Sequence, residues 1–313
     1  MTDSIIESGF AKSRKITRKS IASGRPIAIS VLLLVMIATP SVCLSQQAHN
    51  DPHNIHSNDS IALDLESSIK SGELIWLMSE ESEQFGIFTP SQDIPIEGAA
   101  IILHDIGGHP DWPDVIRPLR LGLTQHNWAT LSVSWSYSQN KGSTAPTLTN
   151  FATPISDAVS QLNLKGLKNI ILVGYGQGAL AALNHLTTSK NSADQVSGFI
   201  AISLNGPIED SKHQALAQLE SLTTQTLDIY GENDLSNVVN TAGLRLSTSR
   251  AAAKNLIDKP DTTTRSNTKI KTFYQQIKIP GANHSFNGQS KMLLKRILGW
   301  TKRNAQGTTI YSN

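Results

Sequence analysis

The chain has 313 residues, 39% hydrophobic and 17% charged, enough to bury one sizeable core. Its formal charge of +2 hides an asymmetry: six lysines and arginines, from Lys12 to Arg25, lie in the first 45 positions against only Asp3 and Glu7, and the remainder is weakly acidic. That balance leaves no electrostatic footprint for nucleic acid.

In chain order, Arg14, Lys15, Arg18, Lys19 and Arg25 precede the apolar run Ile27 to Ala38, and small and polar residues follow from Thr39 to Ser45. A basic segment, a short apolar run and a polar break make up a secretory signal, and about a dozen apolar residues are few for a membrane span. Residues 1–45 are therefore expected to be a signal peptide cleaved near Ser45, which makes the protein periplasmic or secreted. The alternative is an uncleaved leader anchored in the inner membrane, the only membrane contact expected. Cys43, the sole cysteine, lies in this leader, and Pro40 and Val42 before it suit lipid attachment poorly. A mature chain without cysteine has neither disulfide nor thiol nucleophile.

Residues 46–71 are expected to be a flexible linker, because 46–60 are polar and cannot offset their ordering entropy. His49, His53 and His56 lie there beside Asp51 and Asp59, a composition that suits weak adventitious metal binding. No cofactor or dedicated metal site is expected.

From residue 72 strand-like and helix-like stretches alternate. Glu73 to Met78 and Gln84 to Thr89 predict a hairpin. Ala99 to His104, Trp128 to Ser134, Asn169 to Val173, Gly198 to Ser203, Thr226 to Tyr230 and Phe273 to Ile279 are short apolar runs of the kind buried on both faces of a parallel sheet. Helices are expected at 112–125, 151–164, 178–188, 211–221, 238–256 and 287–303, with polar connections at 140–150 and 258–270 and a frayed tail at 304–313. The alternation predicts an α/β domain over 72–303, a doubly wound, mostly parallel sheet flanked by helices.

The run Ile170 to Val173 leads into Gly174-Tyr175-Gly176-Gln177-Gly178 and then a helix-forming stretch, the setting of a nucleophile elbow, Gly-x-Ser-x-Gly. Gly176 stands where the serine would be. Other landmarks follow strands in order: Leu103-His104-Asp105-Ile106-Gly107-Gly108, Tyr230-Gly231-Glu232-Asn233-Asp234, and Gly281-Ala282-Asn283-His284. With these the chain resembles the α/β-hydrolase fold over nearly all of 72–303. The stretch from His104 to Trp135, with His-Pro-Asp-Trp-Pro at 109–113, also resembles a group of exported bacterial α/β-hydrolase-like proteins of unknown function.

The resemblance implies that Asp234 and His284 hold the acid and histidine positions of a triad, and that the backbone N–H groups of Ile106 and Gln177 would form the oxyanion hole. Two departures matter. Loss of the nucleophile costs about 10⁶ in turnover, so ordinary acyl-enzyme chemistry is not expected. Asp105 stands where the family usually has glycine, and its carboxylate would repel a developing oxyanion unless it turns outward or caps the helix that follows. Ser134, Ser136 and Ser203 emerge at the same sheet edge but read as loop hydroxyls.

Three functions remain in view. The favoured one is a non-catalytic, exported hydrolase-fold protein whose cleft binds a small molecule, lipid, glycan or cell-envelope partner. The second is a hydrolase or lyase in which His284 and Asp234 activate water directly; tight packing of Asp234 on His284 beside an open, water-sized gap over Gly176 would favour it and a filled gap would exclude it. The third is an interaction module with a closed cleft. One contiguous patch of Trp112, Trp135 and Tyr137 would support either binding reading, although aromatics at strand exits more often cap the core.

Overall fold

The short apolar runs form the strands of an eight-stranded sheet. The computed structural model describes residues 58–78, 83–135, 152–189, 196–205, 211–257, 273–305 and 307, all in the unit from Asn54 to Asn313. Its strands are β1 (Glu73–Met78), β2 (Glu83–Thr89), β3 (Gly98–Leu103), β4 (Trp128–Val133), β5 (Ile170–Tyr175), β6 (Gly198–Ile202), β7 (Thr226–Asn233) and β8 (Tyr274–Asn283). They lie in the order β1-β2-β4-β3-β5-β6-β7-β8. β2 pairs antiparallel with both β1 and β4, and the strands from β4 onward pair in parallel.

Alternation along the central strands sends side chains to two cores. Ala99, Ile101, Leu103, Ile170 and Leu172 face the layer of α3 (Ala152–Leu164), α4 (Gln177–Thr188) and α5 (Ser211–Ser221). Ala100, Ile102, Ile171 and Val173 face the layer of α2 (Ile116–Thr124) and α7 (Ser290–Asn304), where Leu119, Leu123, Ile297 and Trp300 pack. Burial on both faces explains why these strands read as continuous apolar runs. A further helix, α6 (Ser236–Ile257), packs on β7, β8 and α5.

β7 and β8 run on to Asn233 and Asn283, past the expected Tyr230 and Ile279, and three other boundaries differ from the sequence expectation. Residues 58–68, expected within the linker, form helix α1 (Asn58–Ser68), because Ala62 and Leu65 bury against Phe85 and Ile87 on the sheet. The second helix begins at Ile116, since Asp111 to Pro113 serve as an anchor instead. There the Asp111 carboxylate accepts from Arg117 Nε (2.8 Å) and Arg120 Nη2 (2.6 Å), while Arg120 Nη1 reaches Ser71 O and Thr89 Oγ1. The expected tail also starts inside the fold, with Asn304 ending α7 and Ala305 buried in the core. The leader, the His49/His53/His56 segment, Ser136, Tyr137 and the connections 140–150 and 258–270 lie outside the described residues. No helix among the described residues is long and apolar enough to cross a membrane.

Candidate functional site

Parallel strands deliver their C-terminal ends to one edge of a sheet. Asp105 follows β3, Gly176 follows β5, Ser203 follows β6, Asp234 follows β7 and His284 follows β8, so five loops converge at that edge. The turn at Gly176 is the expected elbow: φ is 59° and ψ is −120°, and the N–H groups of α4 begin there. A side chain in that conformation costs on the order of 1–3 kcal/mol, which glycine avoids. Gly178, two residues on, lies so close to the His104 and Leu103 carbonyls that a Cβ would collide with them.

The space a Cβ on Gly176 would occupy is filled by the Asp105 carboxylate. Asp105 Oδ1 accepts hydrogen bonds from the N–H of Ile106 (2.8 Å) and the N–H of Gln177 (2.7 Å). These are the two donors the hydrolase resemblance assigned to an oxyanion hole. Instead of turning outward, Asp105 occupies that hole itself and caps α4, 72 residues away in sequence. Two convergent N–H groups, one of them at a helix N-terminus, hold an anion, so a carboxylate is a natural occupant.

Asp105 Oδ2 lies 3.1 Å from His284 Nε2, and His284 Nδ1 lies 2.7 Å from Asp234 Oδ1. An ionised carboxylate only accepts, so each ring nitrogen must carry a hydrogen and the imidazole is held as the cation. Burial opposes that charge, but hydrogen bonds to Asp105 and Asp234, with their charges, outweigh it and push His284 up to about 9. Asp234 has a fully buried side chain. Burial alone would raise it, yet donors from His284, Ser203, Gly231 and Leu235 hold it below the usual carboxylate range. Tyr175 completes the support: its ring lies 5.1 Å from that of His284, and its hydroxyl donates to the His284 carbonyl (3.2 Å).

The gap over Gly176 that the water-activation reading asked for is filled by the Asp105 carboxylate, while Asp234 packs tightly on His284, as that reading also asked. The serines resolve as supports. Ser203, with φ of 51°, donates to Asp234 Oδ2 at 2.5 Å, and Ser134 donates to Gln84 Oε1 and accepts from the Phe85 N–H. Trp112 and Trp135 pack on the core, as aromatics at strand exits more often do, and do not join in one patch. Trp112 packs half-buried on the α2/α7 core, whereas Trp135 is 7% exposed in the core on the opposite face of the sheet. There Trp135 stacks on His104 (5.2 Å, 13°) and donates from Nε1 to the His104 carbonyl. Burial pushes His104 down to about 4, so it is neutral.

The active role of Asp105 escaped the sequence reading. Its signal was present as a pair of departures, a carboxylate where glycine is usual and a glycine where serine is usual, which the structure brings together in one place. No group of three or more histidine, cysteine, aspartate or glutamate side chains suited to a metal occurs among the described residues.

Solved structures with this architecture include Est1E from Butyrivibrio proteoclasticus, at 14% identity and a TM-score of 0.53, covering 75% of this chain and 99% of that one. A dienelactone hydrolase from Anabaena variabilis aligns at 15% identity and a TM-score of 0.53, covering 75% and 99%. An alpha-beta serine hydrolase homologue from Coxiella burnetii aligns at 16% identity and a TM-score of 0.52, covering 74% and 98%. At such identities the likeness establishes the α/β-hydrolase fold. No curated protein matches the chain. The family described as "Protein of unknown function (DUF3530)" matches residues 27–156 and 148–303.

Proposed function

The chain belongs to the family DUF3530, of unknown function, and on that premise we propose that this α/β-hydrolase-fold protein performs no serine-type acyl transfer and uses its cleft to bind a small molecule. We further propose that it does so outside the cytoplasm, on the strength of the basic and apolar leader.

One observation carries the reading: the Asp105 carboxylate takes the place of the nucleophile and engages both backbone donors and His284. An ester carbonyl has nowhere to put its developing negative charge, since the amides that would receive it already hold one. Nor is there a hydroxyl to attack it. The remaining machinery is intact, so the site is disarmed at two positions and not dismantled.

The test uses a fluorophosphonate probe and a panel of short and long acyl esters on the mature protein, residues 46–313. Wild type and Gly176→Ser are expected to be silent, because a serine placed alone at 176 collides with Asp105. The double variant Asp105→Gly/Gly176→Ser is expected to take up the probe within the elbow peptide and to recover measurable ester hydrolysis. Turnover by wild type that His284→Ala abolishes would overturn the proposal.

A further inference from the structure

We propose that the outer face of α7 docks the protein on a membrane surface rich in anionic phospholipid, a contact that needs neither the cleft nor the leader. α7 (Ser290–Asn304) carries Lys291, Lys295, Arg296, Lys302 and Arg303 and no acidic residue. All five are exposed. The chain past residue 45 is weakly acidic, so these cations form a local patch set against the net charge.

Helical geometry gathers the five on one side. With about 100° between successive residues, Lys291, Lys295 and Lys302 fall in one row and Arg296 and Arg303 in a second. Met292 and Gly299 lie between the rows, and Met292 is 38% exposed. On the opposite side Leu293, Ile297, Trp300 and Thr301 are buried and fix the helix to the domain. The salt bridges among the described residues use Asp105, Asp111, Asp228, Asp234, Glu73 and Glu232, and none reaches these five cations. The neighbouring helix α2 also lacks an acidic residue.

The fold itself does not call for this pattern. The helix dipole favours cations in the last turn, which accounts for Lys302 and Arg303, but Lys291 stands in the first turn, where the dipole repels it. Lys291 and Lys295, four residues apart on the same face, repel one another as well. Helix stability alone favours an acid at either position, and the chain instead keeps cations facing outward.

The extent of the patch selects the partner. Lys291 to Arg303 spans about 18 Å along the helix axis, against a screening length of about 8 Å at physiological ionic strength. One small anion therefore engages only part of the patch, whereas a sheet of phosphate headgroups meets both rows at once. Met292, apolar between the cations, has a place at the boundary of headgroup and acyl chain and none on the phosphates of a nucleic-acid duplex. Export, proposed above from the leader, favours lipid over nucleic acid for the same face.

The experiment is co-sedimentation of the mature protein, residues 46–313, with vesicles of phosphatidylcholine alone or mixed with phosphatidylglycerol. Wild type is expected to sediment with the mixed vesicles, to ignore phosphatidylcholine alone, and to be released by added salt. Lys291→Gln/Lys295→Gln/Arg296→Gln should weaken partitioning about fivefold for each cation removed, on the order of 100-fold in all. Arg250→Gln/Lys254→Gln is the control: both residues are exposed on α6, whose Leu246 packs on the opposite core, and binding should not change. Three results would each sink the proposal: no preference of wild type for mixed vesicles, an equal loss per charge in the α6 variant, or tighter binding to duplex DNA than to mixed vesicles at the same salt. The wild-type comparison decides alone if the triple variant folds poorly. None of these readouts involves the cleft, so the outcome is independent of the binding reading above.

Discussion

The site cluster and a second ionic cluster use the same chemistry in different surroundings. At the sheet edge, His284 lies between Asp105 and Asp234 with about a fifth of its side chain exposed. Between β7, β8 and α6, Asp228 accepts from Arg245 Nε (2.8 Å), Tyr274 Oη (2.5 Å) and Gln276 Nε2 (2.9 Å), with the Asp228 and Arg245 side chains 0% and 2% exposed. Arg245 also donates to the Val238 carbonyl and Thr241 Oγ1. The inner cluster pins a helix to two strands and keeps its ion pair out of solvent. The edge cluster retains a cation that can titrate and a carboxylate about a fifth exposed to solvent.

That contrast is broken most forcefully from the inside. Arg245→Ala strands the Asp228 charge in the core and is expected to cost about 3–5 kcal/mol in urea unfolding. Leu65→Ala, which undercuts the packing of α1 on Phe85 and Ile87, should cost about 2–3 kcal/mol if that helix is part of the folding unit. Asp105→Asn should cost about 1 kcal/mol or less, because the pair it breaks is partly solvated. Its effect appears elsewhere: in an NMR titration, His284 should move down from about 9, with Asp234 still holding it up.

The pH dependence of stability sharpens the same comparison. His284 binds its proton more tightly folded than unfolded, so its contribution is complete below about 6.5 and is lost as pH rises through about 9. His104 acts in the opposite sense. Burial holds it down to about 4, so its contribution is present above 6.5 and is lost as pH falls toward 4. Urea midpoints of the wild type should therefore be highest near neutral pH, and Asp105→Asn should flatten the alkaline fall while leaving the acid fall unchanged.

The order of elements was legible because it depends on local pattern. Strands such as Ile170–Tyr175 announce themselves as apolar runs, and the helix after Gly176 follows from the turn and the residues behind it. Errors fell where a long-range contact decides. Helix α1 looked like linker because its two core-facing residues, Ala62 and Leu65, are few, and only Phe85 and Ile87 make them sufficient. Trp112, in the loop between β3 and α2, and Trp135, just past β4, pack on opposite faces of the sheet, a separation set by the paths of two loops.

By itself the sequence determined the α/β architecture, the elbow without its hydroxyl, and the order of Asp234 and His284 behind it. Those are consequences of hydrophobic periodicity and turn chemistry, which act over a few residues. The tertiary structure alone decided that Asp105 fills the place Gly176 leaves empty and that His284 is shared between two carboxylates. Both depend on side chains brought together across the sheet edge from loops 50 to 179 residues apart, a proximity set by strand order and the pull of two N–H groups on one negative charge.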